Sequence, residues 1–176
     1  MKKINLEQIV QASLLLFIVA IGVLLRFSNE IPNFTPMFAI ALFSGFMFKN
    51  RILAFGTPLL IQLISDYFIG FHQDIFAVYL SFSLISLIGY LNKEKYSFKN
   101  SIVYSIASSI LFFILTNFSV WITSGFYSYS FSGLIEAYTM AIPFYRNTLI
   151  SAVLYSTIIF GAYSLFLNSK KENALI

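Results

Sequence analysis

Asp66 stands inside a long apolar run, and Arg26 and Arg146 stand at the ends of two others. A carboxylate in an apolar medium is expensive, about 2.5–3.5 kcal/mol for an Asp at the centre of a membrane helix. It needs a partner, and either arginine could supply one. A guanidinium also grips an anionic ligand group through two parallel hydrogen bonds. Asn33 and Thr35 open the second apolar run, Asn117 and Trp121 sit near the end of the fifth, and Asn147 follows Arg146. These eight residues form the candidate ligand-binding set: Arg26, Asn33, Thr35, Asp66, Asn117, Trp121, Arg146 and Asn147. They describe a pocket between helices, apolar at its floor and aromatic at its rim. Each has a plainer role available. A buried Asp–Arg pair can simply lock helices. Asn117 can bridge helices by a hydrogen bond, and Trp121 can anchor a membrane interface.

Catalytic constellations are scarce. There is no His-Glu-x-x-His, no Gly-x-Ser-x-Gly and no Gly-rich phosphate loop. With no cysteine and one histidine, His72, carboxylates would have to supply most ligands of any metal. Asp74 lies two residues from His72, but no serine has the context of a nucleophile. The reading is therefore of a non-enzyme that needs no cofactor. An intramembrane enzyme using Asp66 and His72 on a lipid or envelope precursor is one alternative. A structural or assembly subunit without a ligand is the other.

The elements that must position these groups are set by composition. Of 176 residues, 59% are hydrophobic and 10% charged. Soluble chains carry roughly a quarter charged residues, and a globule this apolar could not cover itself with polar groups. A lipid bilayer removes the difficulty by being apolar outside. The predicted fold is all-α membrane, a six-transmembrane-helix bundle forming one integral domain over residues 1–176. Its apolar segments are 8–26, 35–48, 52–71, 75–91, 101–124 and 147–168. The first follows Met1-Lys2-Lys3 but lacks a cleavage pattern and is too long for a signal peptide, so it reads as a retained span.

The second segment is short. Pro36 to Phe48 is 13 residues, about 20 Å of helix against a hydrocarbon core of about 30 Å. A re-entrant hairpin would have that length. The loop charges decide against it. With six spans, one side carries Lys2, Lys3, Lys49, Arg51, Lys93, Lys95, Lys99, Lys170 and Lys171, and the other only Arg26 and Arg146. Such a bias places the first side, with both termini, in the cytoplasm. The candidate residues then all lie toward the outer face. Between spans five and six, Phe126 to Tyr145 is the long outer loop, and 132–142 reads as a short surface helix capped by Ser132 and ended by Pro143. The basic residues form no patch or stripe, which excludes a nucleic-acid partner. No span carries regular arginines or polar groups along its full depth, which argues against a voltage sensor and a channel.

Four segments carry a resemblance. Pro32-Asn33-Phe34-Thr35-Pro36-Met37-Phe38-Ala39-Ile40-Ala41-Leu42-Phe43-Ser44-Gly45 resembles the signature of an uncharacterised family of small bacterial membrane proteins. Leu63 to His72, Leu115 to Trp121 and Ala141 to Leu149 are similar to the same family, and the likeness runs from about Arg26 to about Tyr163. In topology and size the chain also resembles the S components of energy-coupling factor (ECF) transporters. That second resemblance implies capture of a scarce nutrient, such as cobalamin or another vitamin, in an outer pocket of a bacterial inner-membrane protein. It implies a lid formed by the loop between the first two helices, and an energising transporter module as partner. Many S components carry Ala-x-x-x-Ala on the first helix for that module. Here the first span has Ala12 and Ala20 without the pair.

Overall fold

A computed structural model describes residues 6–28 and 30–173, with side chains for 12–28 and 30–167. Lys2 and Lys3 lie outside the described residues. The described chain is helical and holds no strand: α1 (Leu6–Phe27), α2 (Met37–Met47), α3 (Arg51–Ile69), α4 (Ile75–Leu91), a single 3-10 turn (Lys93–Lys95), α5 (Phe98–Thr123) and α6 (Phe131–Asn173). The first five begin and end within three residues of the expected apolar segments. Three helices, over Arg51–Ile69, Phe98–Thr123 and Phe131–Leu167, are long and apolar enough to cross a membrane. The other apolar helical stretches, Ala12–Phe27, Met37–Met47 and Ile75–Leu91, are shorter.

The core is built around the shortest helix. Every residue of α2 from Met37 to Gly45 is buried. Its sequence is apolar or small on all sides, and such a helix finds its place inside a bundle. It packs on α3, α4, α5 and α6. Against α4 the two backbones touch, because Gly45 and Gly89 face each other at the crossing. A Cβ on Gly45 would strike the Ser86 carbonyl oxygen, and one on Gly89 the Leu42 carbonyl oxygen. Small residues at such crossings are how apolar helices approach closely enough to gain dispersion contacts. Ser86 adds a bond across the same crossing, donating to the Ala41 carbonyl at 3.1 Å.

Against α3, a proline sets the contact. Pro58 lies inside α3 and cannot donate to the carbonyl four residues back. That carbonyl belongs to Ala54, and the Ser44 hydroxyl of α2 donates to it instead, at 2.8 Å. Ser44→Ala should therefore cost about 1–3 kcal/mol, the penalty of an orphaned buried acceptor. A thermal melt of the purified protein reads this directly. No loss of stability would mean that the carbonyl finds another donor.

α5 and α6 form an antiparallel hairpin. Trp121 Nε1 donates to the Ser128 carbonyl at 3.0 Å, Tyr129 to Ile122 at 2.8 Å, and Tyr138 to Ile114 at 2.7 Å. This corrects the expectation of a separate surface helix ended by Pro143. α6 is one helix of 43 residues that runs through Pro143. Two physical reasons account for it. An interior proline forfeits one hydrogen bond, here to the Thr139 carbonyl, and its exposed ring leaves the packed face intact. α5 meanwhile grips α6 on both sides of it, with Phe113 touching the rings of both Tyr138 and Tyr145.

α1 is the peripheral helix. It packs mainly on α3 and only lightly on α2. A groove of about 640 Å³ is left between α1, α2 and α6, with walls such as Phe17, Ile21, Ile40, Phe43, Ile158 and Phe166. Its lining is almost wholly apolar.

Candidate functional site

The polar chemistry lies elsewhere, at the end of the bundle where α3 stops and α4 starts. Two adjoining cavities of about 270 and 230 Å³ open there. They share Asn33, His72, Val78 and Phe112 as walls, so they form two lobes of one depression.

The segment joining α1 to α2 forms one side of it. This segment packs on α6. Asn147 Nδ2 donates to the Pro32 carbonyl at 3.1 Å, Ser151 to the Asn33 carbonyl at 3.3 Å, and the Phe34 and Tyr155 rings meet at 5.9 Å. Residues 147, 151 and 155 are successive turns of α6, so the segment, a turn closed by the Phe34 N–H on the Ile31 carbonyl at 3.1 Å, is held against about 12 Å of that helix by its side chains. α2 starts directly after this turn and has 11 helical residues. Asn33 turns the chain with a φ of 60°. Asparagine accepts that left-handed backbone more readily than most residues.

The first lobe is lined by Arg26, Asn33, Thr35 and Gln62, with Phe38, Phe82 and Phe112 among the apolar residues. Behind Arg26 stands Asp66. Arg26 Nη2 lies 2.8 Å from Asp66 Oδ1, joining α1 to α3. Asp66 is 1% exposed and the Arg26 side chain 18%. The pairing is single-pronged, since Arg26 Nη1 and Asp66 Oδ2 are both buried without a hydrogen-bond partner. The Tyr79 hydroxyl of α4 lies beside Asp66 but falls short of hydrogen-bonding geometry. One turn from Asp66 on α3, Gln62 is 2% exposed, and its Oε1 also lacks a partner. Orphaned polar atoms in a dry interior cost about 1–3 kcal/mol each, and here they gather at one place.

The second lobe is lined by Asp74, Thr116, Asn117, Tyr145 and Thr148, among others. Asp74 is engaged: Ser119 and Thr123 of α5 donate to its Oδ1 at 2.7 and 2.9 Å. It ties the start of α4 to the end of α5. Asn117 donates to its own helix, at the Phe113 carbonyl, 2.8 Å away.

Of the eight expected residues, Arg26, Asn33, Thr35 and Asn117 therefore line the depression. Asp66 sits behind it as Arg26's partner. Asn147 holds the α1–α2 segment in place. Trp121 and Arg146 are outside both linings. Trp121 fastens the α5–α6 turn, and Arg146 is exposed. Two polar residues lining the first lobe were not in the expected set. His72, exposed in the α3–α4 turn, belongs to both lobes. Gln62, 2% exposed on α3, belongs to the first. Among the described residues, no group of three or more His, Asp or Glu side chains converges as a metal site would require.

A bundle of apolar helices with a polar depression at one end, backed by a buried ion pair, defines the class: an all-helical protein with helices suited to a membrane. The chain belongs to a family of unknown function (DUF6580), which matches residues 6–175. None of the curated proteins and none of the solved structures matches it.

Proposed function

We propose that this protein is a membrane-embedded substrate-binding subunit of a transporter. It crosses the bacterial cytoplasmic membrane six times with both termini inside, and it captures a small molecule from the outer face. One observation carries the reading. The depression gathers Arg26, Asn33, Gln62, His72 and Asn117 from five different parts of the chain, and the α1–α2 segment forms its flank. Such walls suit a ligand that enters from one end and orders the segment as it binds. The nine-to-two distribution of Lys and Arg supports the orientation. The short α2 fits a crossing that is tilted or extended by Phe34 and Thr35. Release to the cytoplasm then requires tilting of the bundle or a partner complex that supplies energy.

Two measurements test this together. The chain lacks cysteine, so single cysteines report topology without a background. Tyr127→Cys should label with a membrane-impermeant maleimide in intact cells, and Lys95→Cys only after permeabilisation. The reverse pattern would overturn the orientation. A broad metabolite panel should contain a compound that raises the melting temperature of the purified protein. A uniformly silent panel would favour the ligand-free structural role.

A further inference from the structure

The Arg26–Asp66 pair narrows what the depression can hold. Two charges of opposite sign lie 2.8 Å apart, so the wall is neutral as a whole. A carboxylate placed against Arg26 would also face Asp66, and an ammonium near Asp66 would face Arg26. What remains open is a donor and an acceptor. Arg26 Nη1 has hydrogens to give, and Gln62 Oε1 has lone pairs to fill; neither has a partner among the described residues. Both residues line the same lobe. Gln62 and Asp66, the partner of Arg26, are four apart on one helix face, so both unfilled atoms lie at the same stretch of α3. They are buried behind the lobe's surface, and a ligand meets them when the Arg26 and Gln62 side chains turn toward it. Across the lobe stand Phe38, Phe82 and Phe112, each ring touching the other two with centroids 5.0 to 5.5 Å apart. Such a wall favours a flat π-system. The lobe's volume of about 270 Å³ is at the small end for ligand pockets, right for one ring or two fused rings.

We propose that the lobe walled by Arg26, Gln62 and the three phenylalanines binds a neutral planar heterocycle with a lactam edge, an N–H beside a C=O. The lactam N–H donates to Gln62 Oε1, the lactam oxygen accepts from Arg26 Nη1, and the ring lies against the phenylalanines. The assignment rests on the substrate-capture reading and gives it a substrate class.

The test uses the full-length protein in detergent, with uracil and lumazine as lactam probes and benzoate and benzamidine as charged planar controls. Thermal unfolding and calorimetric titration are both read. A lactam probe should stabilise the protein and the controls should not. Gln62→Met keeps the side chain's volume and removes the orphaned acceptor, so the variant should fold at least as well as the parent. It should bind the lactam about tenfold more weakly or worse. Benzoate binding in place of the lactams would overturn the class and leave capture standing. Lactam binding unchanged in Gln62→Met would overturn the assignment to this lobe. Silence from these probes, while another metabolite stabilises the protein, would overturn the lactam class. Silence across the whole metabolite panel would overturn both readings.

Discussion

Asp66→Ala is expected to destabilise the protein by about 3–5 kcal/mol, the usual cost of removing one partner from a buried ion pair. The reason is what the substitution leaves behind. Arg26 is 18% exposed, its Nη2 is directed at Asp66, and its Nη1 already lacks a partner. Without the carboxylate, a half-buried guanidinium would stand without its counter-charge in the wall of the lobe and would have to find water or push α1 away from α3. α1 has little else to hold it, since α3 is its main neighbour. Replacing both charges behaves differently. Asp66→Asn with Arg26→Gln removes the uncompensated charge and keeps polar groups of similar size, so the double variant should recover much of what either single variant loses. Melting temperatures of the two singles and the double complete a mutant cycle. A double variant no more stable than the sum of the singles predicts would show that the pair is not coupled. The binding titrations then separate structure from capture, because a purely structural pair leaves ligand affinity alone in any variant that folds.

That experiment depends on a pairing the amino-acid order left open. Arg26 and Arg146 both stand at the ends of apolar runs, and their places in the sequence do not distinguish them as partners for Asp66. The choice of Arg26 is made by packing: α1 lies on α3, whereas Arg146 is carried by α6. The helices themselves were legible because apolar runs broken by short polar clusters allow few alternatives. The exception, α6, shows where local rules stop. Pro143 reads as a terminator when its neighbours are unknown, and the contacts with α5 on either side of it are what keep the helix continuous. Gln62 is a further case: it lines the first lobe from one turn before Asp66 on α3. Neither the packing of the α1–α2 segment on α6 nor the burial of Gln62 leaves a periodic trace in sequence. Both arise from residues more than twenty positions apart.

The crossing of α2 and α4 gives the second large effect. Gly45→Ala and Gly89→Ala should each lower stability by about 1–3 kcal/mol, toward the upper end of what overpacking costs. Overpacking is usually relieved by neighbouring side chains that change rotamer. Here the added carbon meets main chain: Ser86 O and Tyr90 N for Gly45, Leu42 O and Phe46 N for Gly89. Main-chain atoms of a helix yield only if the helix moves. Moving α4 away from α2 would also stretch the Ser86–Ala41 bond and shift Phe82 from Phe38, which is the wall of the candidate site. Loss of stability and loss of ligand affinity should therefore appear together at these two positions. The double variant should cost less than the two singles added, since one displacement of α4 relieves both collisions. Gly56→Ala is the control. A Cβ there meets nothing within 4 Å, and alanine in a helix is favoured over glycine by roughly 0.5–1 kcal/mol. It should leave stability unchanged or raised. Equal behaviour of Gly56→Ala and Gly89→Ala in thermal melts would show that the α2–α4 backbones are not in contact. The short helix at the centre would then lose its claim to organise the core.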